Sequence, residues 1–356
     1  MINVTQPYLP PYPEYEKYLK QIWERKWLTN HGPLVQELEE KLKDYLGVKH
    51  LLYVNNGTIA LQIALKALGL KGEIITTPFS YVATTNSILW EGCKPVFADI
   101  KDTDFNIDPS KIETLVTPAT VAILATHVYG NPCDVEAIEK IAVRHNLKVI
   151  YDGAHAFGAA LNGKQVLSFG DIATCSFHAT KLFHTIEGGA IITNDDELAK
   201  KMMLYRQFGH IGDAHFSIGI NGKNSEFHAA MGLCLLPMMK EFMAKRKTIA
   251  GLYDSFLEGL PMQRPVAISK TVYNYSYHPV ILDSEERLHR IVALLKEHDI
   301  VTRRYFYPSL NNLPHFKGED CPVSESVSVR ALALPMYYEL EEATIKKICD
   351  LIKTCF

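Results

Sequence analysis

No run of apolar residues in the sequence approaches the eighteen or so that a membrane span needs. The first residues, Met1-Ile2-Asn3-Val4-Thr5-Gln6-Pro7, lack the basic region and apolar core of a secretory leader. Neither export by such a leader nor membrane insertion is therefore expected. Cysteine is sparse, with seven in 356 residues, an odd number and without a C-x-x-C pair. That excludes a disulfide framework and a zinc ribbon, and it fits a reducing cytoplasm. An excess of one charge is missing too: 37 Lys and Arg against 40 Asp and Glu leave −3, so no global cationic field collects nucleic acid or anionic lipid. No G-x-G-x-x-G follows the first strand-like run, which argues against a Rossmann oxidoreductase. Internal repeats and low-complexity segments are absent as well. What remains is an ordinary globular balance, 47% hydrophobic and 22% charged, in a chain long enough for one large core and a smaller one.

The opening through Glu16 is rich in proline and tyrosine and reads as an extended arm. Helical spacing of apolar residues follows over Tyr15–Trp27 and Pro33–Leu46, with Leu34, Leu38, Leu42 and Leu46 on one stripe and Gly47 as the stop. Short apolar or β-branched runs then alternate with helical patterns. The runs are Leu51–Val54, Glu73–Thr77, Pro95–Ala98, Val121–Thr126, Lys148–Tyr151, Ile172–Phe177 and Gly189–Thr193. The helices are Thr58–Leu68, Tyr81–Trp90, Pro109–Leu115, Val135–His145 and Asp196–Phe208. This rhythm predicts an α/β fold, a large domain with a mostly parallel central sheet flanked by helices. After a helix over Ser225–Leu257 come a strand at Tyr273–Leu282, a helix at Glu285–His298, a strand at Ile300–Tyr305 and a closing helix at Glu341–Lys353. They predict a smaller C-terminal α+β domain. Gly259–Pro265 marks the approximate border, which gives domains 1–258 and 259–356, and Pro308–Ser328 reads as a loop.

Three stretches carry chemistry. Lys181 follows the end of a buried strand, where desolvation can strip an amine of its proton and make it a nucleophile toward an aldehyde. Alone it is an ordinary surface charge. Asp152 ends the apolar run Val149-Ile150-Tyr151, and in a parallel α/β sheet the carboxyl ends of strands face the ligand crevice. Its plain alternative is a helix cap. Asn55-Asn56-Gly57-Thr58 follows another strand and opens a helix, so the free N–H groups at Gly57 and Thr58 make an anion seat or, again, only a cap. The conjunction of phosphate seat, strand-end acid and strand-end lysine matches the three attachments of pyridoxal phosphate.

With these residues the sequence resembles the DegT/DnrJ/StrS sugar aminotransferases, pyridoxal-phosphate enzymes of the aspartate aminotransferase fold. The likeness runs through Trp27-Leu28-Thr29-Asn30, Asn56-Gly57-Thr58, Thr77-Pro78-Phe79-Ser80-Tyr81-Val82-Ala83-Thr84, Asp152-Gly153-Ala154-His155, Phe169-Gly170-Asp171-Ile172, Ser176-Phe177-His178-Ala179-Thr180-Lys181, Glu187-Gly188-Gly189, Gly219-Ile220-Asn221 and Ala333-Leu334-Pro335-Met336-Tyr337. It implies that Lys181 carries pyridoxal 5'-phosphate covalently and that Asp152 partners its pyridine nitrogen. It further implies that His155 stands beside the ring oxygen, Tyr81 stacks on the ring, and Ser176 joins the Gly57 and Thr58 amides at the phosphate. Asn221 resembles the residue that reaches the phosphate in a neighbouring subunit, which implies a homodimer with shared sites. The expected reaction takes an amino group from L-glutamate to a nucleotide-linked keto-deoxyhexose, foremost a 4-keto-6-deoxy sugar.

Three other readings share the scaffold: a 3-keto sugar aminotransferase, a pyridoxamine-phosphate dehydratase, and a silent regulatory protein. Lys181 opposes the dehydratase, whose relatives carry histidine there, and intact Lys181, Asp152, Tyr81 and Ser176 oppose the silent protein. The sequence departs from the family in two places. Asn221-Gly222-Lys223 replaces Asn-x-Arg, trading a forked guanidinium for a point charge. Thr302-Arg303-Arg304-Tyr305 replaces a His-Tyr pair, and either arginine is a candidate clamp for a diphosphate. His178 and His184 flank Lys181 at a spacing that fits no zinc-binding helix, so packing or substrate contact is expected of them.

Overall fold

A computed structural model describes residues 1–316 and 318–356. Seven strands form the central sheet: β1 His50–Val54, β2 Glu73–Thr76, β3 Lys94–Phe97, β4 Thr120–Thr126, β5 Lys148–Asp152, β6 Ile172–Ser176 and β7 Gly189–Thr193. Their spatial order is β1-β7-β6-β5-β4-β2-β3. The β2–β3, β2–β4, β4–β5 and β5–β6 pairs are parallel. β7 instead runs antiparallel to both neighbours, with Ile191 between Leu52 of β1 and Thr174 of β6. The reason is the connection: a parallel return needs a crossover element, and residues 177–188 contain no helix.

The middles of the strands are largely apolar because both faces of the sheet are covered, and their side chains alternate between the two. Leu51 and Tyr53 point into the core that holds Leu34, Leu38 and Leu42 of helix Pro33–Leu46. Leu52 and Val54 point into the opposite core, with Ala60, Ile63 and Ala64 of helix Gly57–Leu68 and Met202 of helix Asp196–Arg206. A further core lies toward the C-terminus, around the antiparallel pair β8 His278–Ile281 and β9 Ala331–Leu334 and helices Glu285–Glu297 and Glu342–Lys353. Ile249, Tyr253 and Leu257, from helix Met239–Phe256 and the residue after it, join this core.

Several elements differ from their sequence-based outlines. The amino-terminal arm turns helical at Tyr12, and that helix runs to Arg25 with Pro11 as its cap and Pro13 in its first turn, where a missing N–H costs nothing. The expected helix over Ser225–Leu257 is two helices, Glu226–Leu235 and Met239–Phe256, joined by a 3-10 turn at Leu236–Met238 that contains Pro237. Ile300–Tyr305 is not a strand: Ile300 bridges to Ile2 and Arg303 to Ala333, so successive residues answer to different partners. Tyr273–Leu282 pairs as a strand with β9 only over His278–Ile281. Within Pro308–Ser328 a short helix, Pro322–Ser328, forms because Asp99 accepts hydrogen bonds from its Val323 and Ser324 amides, both at 2.9 Å. All seven cysteines are free. No helix among the described residues is long and apolar enough to cross a membrane.

Candidate active site

Beyond the carboxyl ends of β5 and β6 the chain encloses a cavity of about 340 Å³. Gly57, Thr58, Tyr81, Asp152, His155, Ser176 and Lys181 all line it, so seven of the eight residues singled out in the sequence meet in one place.

Asp152, the last residue of β5, is buried. Its carboxylate accepts hydrogen bonds from Thr84 Oγ1 at 2.7 Å and from the Ala154 amide at 3.0 Å. Burial pushes this carboxyl above the usual range, while the Thr84 hydroxyl, the Ala154 amide and the Lys181 ammonium pull the other way without overcoming it. Such a group favours a cation placed against it. No helix starts here, so the capping alternative does not account for the residue.

Lys181 lies in the turn after β6, its amide bonded to the His178 carbonyl at 2.9 Å. Its ammonium donates to the Tyr277 hydroxyl at 3.2 Å. Burial disfavours the charged amine, but the Tyr277 and Tyr305 hydroxyls and the Asp152 carboxylate outweigh it, and Lys181 ends above the ordinary lysine value. The expectation that desolvation frees the amine of its proton is thus corrected: the neighbours in this cavity keep it.

His155 is buried, stacked on Phe306 at 5.3 Å between ring centres and edge-on to Tyr277 at 5.1 Å. Burial, then the Lys181 charge, drives its pKa well down, so the imidazole is neutral. Its Nδ1 is buried without a hydrogen-bond partner.

Helix Gly57–Leu68 begins after Asn56, whose side chain accepts from the Ile59 amide at 2.9 Å. A Cβ at Gly57 would stand 2.9 Å from Ser176 Cβ, so only glycine lets the helix start approach that side chain so closely. Tyr81 is 61% exposed at the cavity rim, where helix Val82–Trp90 begins.

Asn221 is the exception, lying outside the cavity. Its Oδ1 accepts from Lys223 Nζ at 2.8 Å and its carbonyl from Asn55 Nδ2 at 3.4 Å. It closes the segment that starts at Gln207, to which it bridges, and that segment exposes Phe216 and Ile218. The two candidate arginines separate as well. Arg303 lines the cavity, whereas Arg304 is bonded to Glu285 and the Val329 carbonyl and stacks on Tyr307. His178 lines the cavity, and His184 is buried with its Nε2 2.9 Å from the Tyr8 carbonyl.

Two residues escaped the sequence reading. Thr84 lies one helical turn from Tyr81, within a quoted stretch, but nothing local marks it as the partner of Asp152. Tyr277 comes from 96 positions beyond Lys181 and had no motif of its own.

The arrangement fits pyridoxal phosphate. A buried carboxyl that favours a cation, a neutral imidazole with a free nitrogen, a helix start cleared of a Cβ and a half-buried amine surround one cavity of suitable chemistry.

Comparison with known proteins covers nearly the whole chain. The DegT/DnrJ/EryC1/StrS aminotransferase family model matches residues 12–353. A dTDP-4-amino-4,6-dideoxy-D-glucose transaminase from Escherichia coli is 44% identical over 363 residues, spanning 99% of this chain and 98% of that protein. A GDP-perosamine synthase from Vibrio cholerae is 33% identical, spanning 100% and 99%. Among solved structures, DesI crystallised with its TDP-sugar product superposes with a TM-score of 0.95 at 32% identity, covering 99% of this chain and 92% of that one.

Proposed function

The chain belongs to the DegT/DnrJ/EryC1/StrS aminotransferase family, and from that premise we propose that it moves the amino group of L-glutamate to the 4-keto carbon of a nucleotide-linked 6-deoxyhexose. The observation that carries this reading is the pairing of buried Asp152 and half-buried Lys181 on one cavity beside the start of helix Gly57–Leu68. The choice of a 4-keto sugar is supported by the E. coli relative, which is named for a 4-amino sugar.

Pyridoxal phosphate, when bound, supplies an electron-withdrawing ring that lets an amino group leave one carbon and join another. The chain's residues supply the rest. Lys181 Nζ would hold the cofactor covalently and, when free of it, would carry a proton to and from the reacting carbon. Asp152 would hold a proton on the pyridine nitrogen, because a carboxylate beside such an atom favours its charged form. His155, neutral and with an unpartnered Nδ1, would offer the ring a hydrogen-bonding group without adding charge. Ser176 Oγ and the Gly57 and Thr58 amides receive the phosphate at a helix N-terminus. Tyr81 covers the ring, and Arg303 faces the anionic part of the substrate. Asn221 serves the site of a second copy, in a cytoplasmic homodimer whose chains divide at about residue 258.

The test is spectroscopic. Protein loaded with pyridoxal phosphate is expected to lose its visible band on addition of L-glutamate, release 2-oxoglutarate, and regain the band with one member of a panel of nucleotide-linked 3-keto and 4-keto sugars. Recovery with a 3-keto sugar alone would overturn the assigned carbon. A band that glutamate leaves untouched would overturn the donor.

A further inference from the structure

Tyr277 belongs to none of the sequence motifs, yet the surrounding structure is organised to deliver it. The four residues 274–277 are stitched to the loop that follows β5. Asn274 Nδ2 donates to the carbonyls of His155 at 2.7 Å and Phe157 at 3.0 Å, and Ser276 Oγ donates to the same His155 carbonyl at 2.6 Å. The Asn274 side chain also accepts from the Ser276 amide at 3.1 Å, which folds the segment on itself. From the other side Arg246, buried in helix Met239–Phe256, donates to the Ser276 carbonyl at 3.0 Å and the Tyr275 carbonyl at 3.3 Å. A guanidinium buried against carbonyls alone costs desolvation energy, so fixing this backbone is a substantial commitment. The outcome is a tyrosine only 6% exposed, its ring against His155 and Tyr305 and its hydroxyl on the Lys181 amine.

We infer that Tyr277 is an active-site residue whose phenol oxygen accepts a hydrogen bond from Lys181 Nζ, fixing where that amine stands and how firmly it holds its proton. The role in turnover rests on the aminotransferase reading; the coupling between the two side chains does not. The other titratable or charged groups lining the cavity with the amine are Asp152 and Cys175 from the sheet, His155 from the loop after β5, Tyr81 before helix Val82–Trp90, His178 and Glu187 from the loop that carries Lys181, and Tyr305 and Arg303 from the segment after Ile300. All of them persist in Tyr277→Phe, which also keeps the ring.

The experiment is competitive acetylation of the full-length chain across pH 7 to 12, about the ordinary lysine value, with the Lys181 peptide quantified by mass spectrometry. Loss of an acceptor from a charged donor is expected to lower the Lys181 midpoint by roughly one pH unit in Tyr277→Phe. An unchanged midpoint in a variant with wild-type circular dichroism would overturn the inference. If Tyr277→Phe misfolds, Arg246→Met, which loosens the segment without touching the cavity, is expected to move the midpoint the same way, and an unmoved one overturns the inference equally. On the loaded enzyme, Tyr277→Phe is expected to lose about ten- to a hundredfold in kcat with KM for glutamate changed less than about threefold. A wild-type enzyme without glutamate-dependent turnover would sink the proposed function while leaving the acetylation result to decide the Tyr277–Lys181 coupling.

Discussion

Thr84 and Asp152, 68 positions apart, are joined by a 2.7 Å hydrogen bond that ties helix Val82–Trp90 to the end of β5. The threonine aims the carboxylate and partly offsets the burial that pushes its carboxyl above the usual range.

Asp152 is therefore expected to be a stability cost held for the sake of chemistry. Its carboxyl pKa in the fold lies above its unfolded value near about 3.9, so between those two values the native chain binds the proton more tightly than the unfolded one. Stability conferred by that proton is present at low pH and is lost as pH rises through the folded value. Asp152→Asn should then melt roughly 1–3 °C higher than wild type at pH 8 without added cofactor, and the difference should shrink toward pH 4. The same variant should lose about a hundredfold or more in kcat, because an amide cannot hold a proton on the pyridine nitrogen. Thermal melts and single-turnover rates check the two halves separately.

Glu39 shows the opposite sign. It is buried, accepts from the Tyr53 amide at 2.8 Å, lies 2.7 Å from His31 Nε2, and pairs with buried Arg206. Burial raises its carboxyl, but Arg206 foremost, then His31 and the Tyr53 amide, hold it below the usual range. Its stabilisation is present at neutral pH and lost as pH falls through the folded value. Glu39→Ala should destabilise the chain by about 3–5 kcal/mol in denaturant unfolding, since it strands the Arg206 guanidinium. Replacing both partners with leucine should cost clearly less.

The neighbouring arginines are expected to respond differently. Arg303→Ala removes a cation facing the cavity and should raise KM for the nucleotide sugar roughly tenfold or more while melting like wild type. Arg304→Ala breaks the bonds to Glu285 and the Val329 carbonyl, so it should lower the melting temperature and leave KM alone. Steady-state kinetics beside thermal melts separates the two roles.

The parts of the site legible in the sequence are those that depend on where a strand stops. Asp152, Ser176 and Gly57 each adjoin the end of an apolar run, and in such a sheet position along the strand decides which side chains reach the crevice. Lys181 is legible for the same reason, although its protonation is not, because Tyr277 and Tyr305 arrive from distant segments. The antiparallel course of β7 was hidden because an apolar run buried on both faces looks alike in either direction. Ile300–Tyr305 misled for a related reason: its apolar and aromatic residues serve several short contacts instead of one ladder.

The course of β7 has a consequence for the entropy of binding. Because β7 returns beside β6, the segment bearing Lys181 leaves and re-enters the sheet on adjacent strands. The Phe177 amide meets the Gly188 carbonyl at 2.8 Å, and the Thr185 amide meets the Phe177 carbonyl at 2.9 Å. Loop closure that a flexible segment would have to undergo when a ligand arrives is here completed during folding. The amine thus waits on a loop already gathered by the sheet, so that a larger share of the interaction energy of any bound group is left to express as affinity.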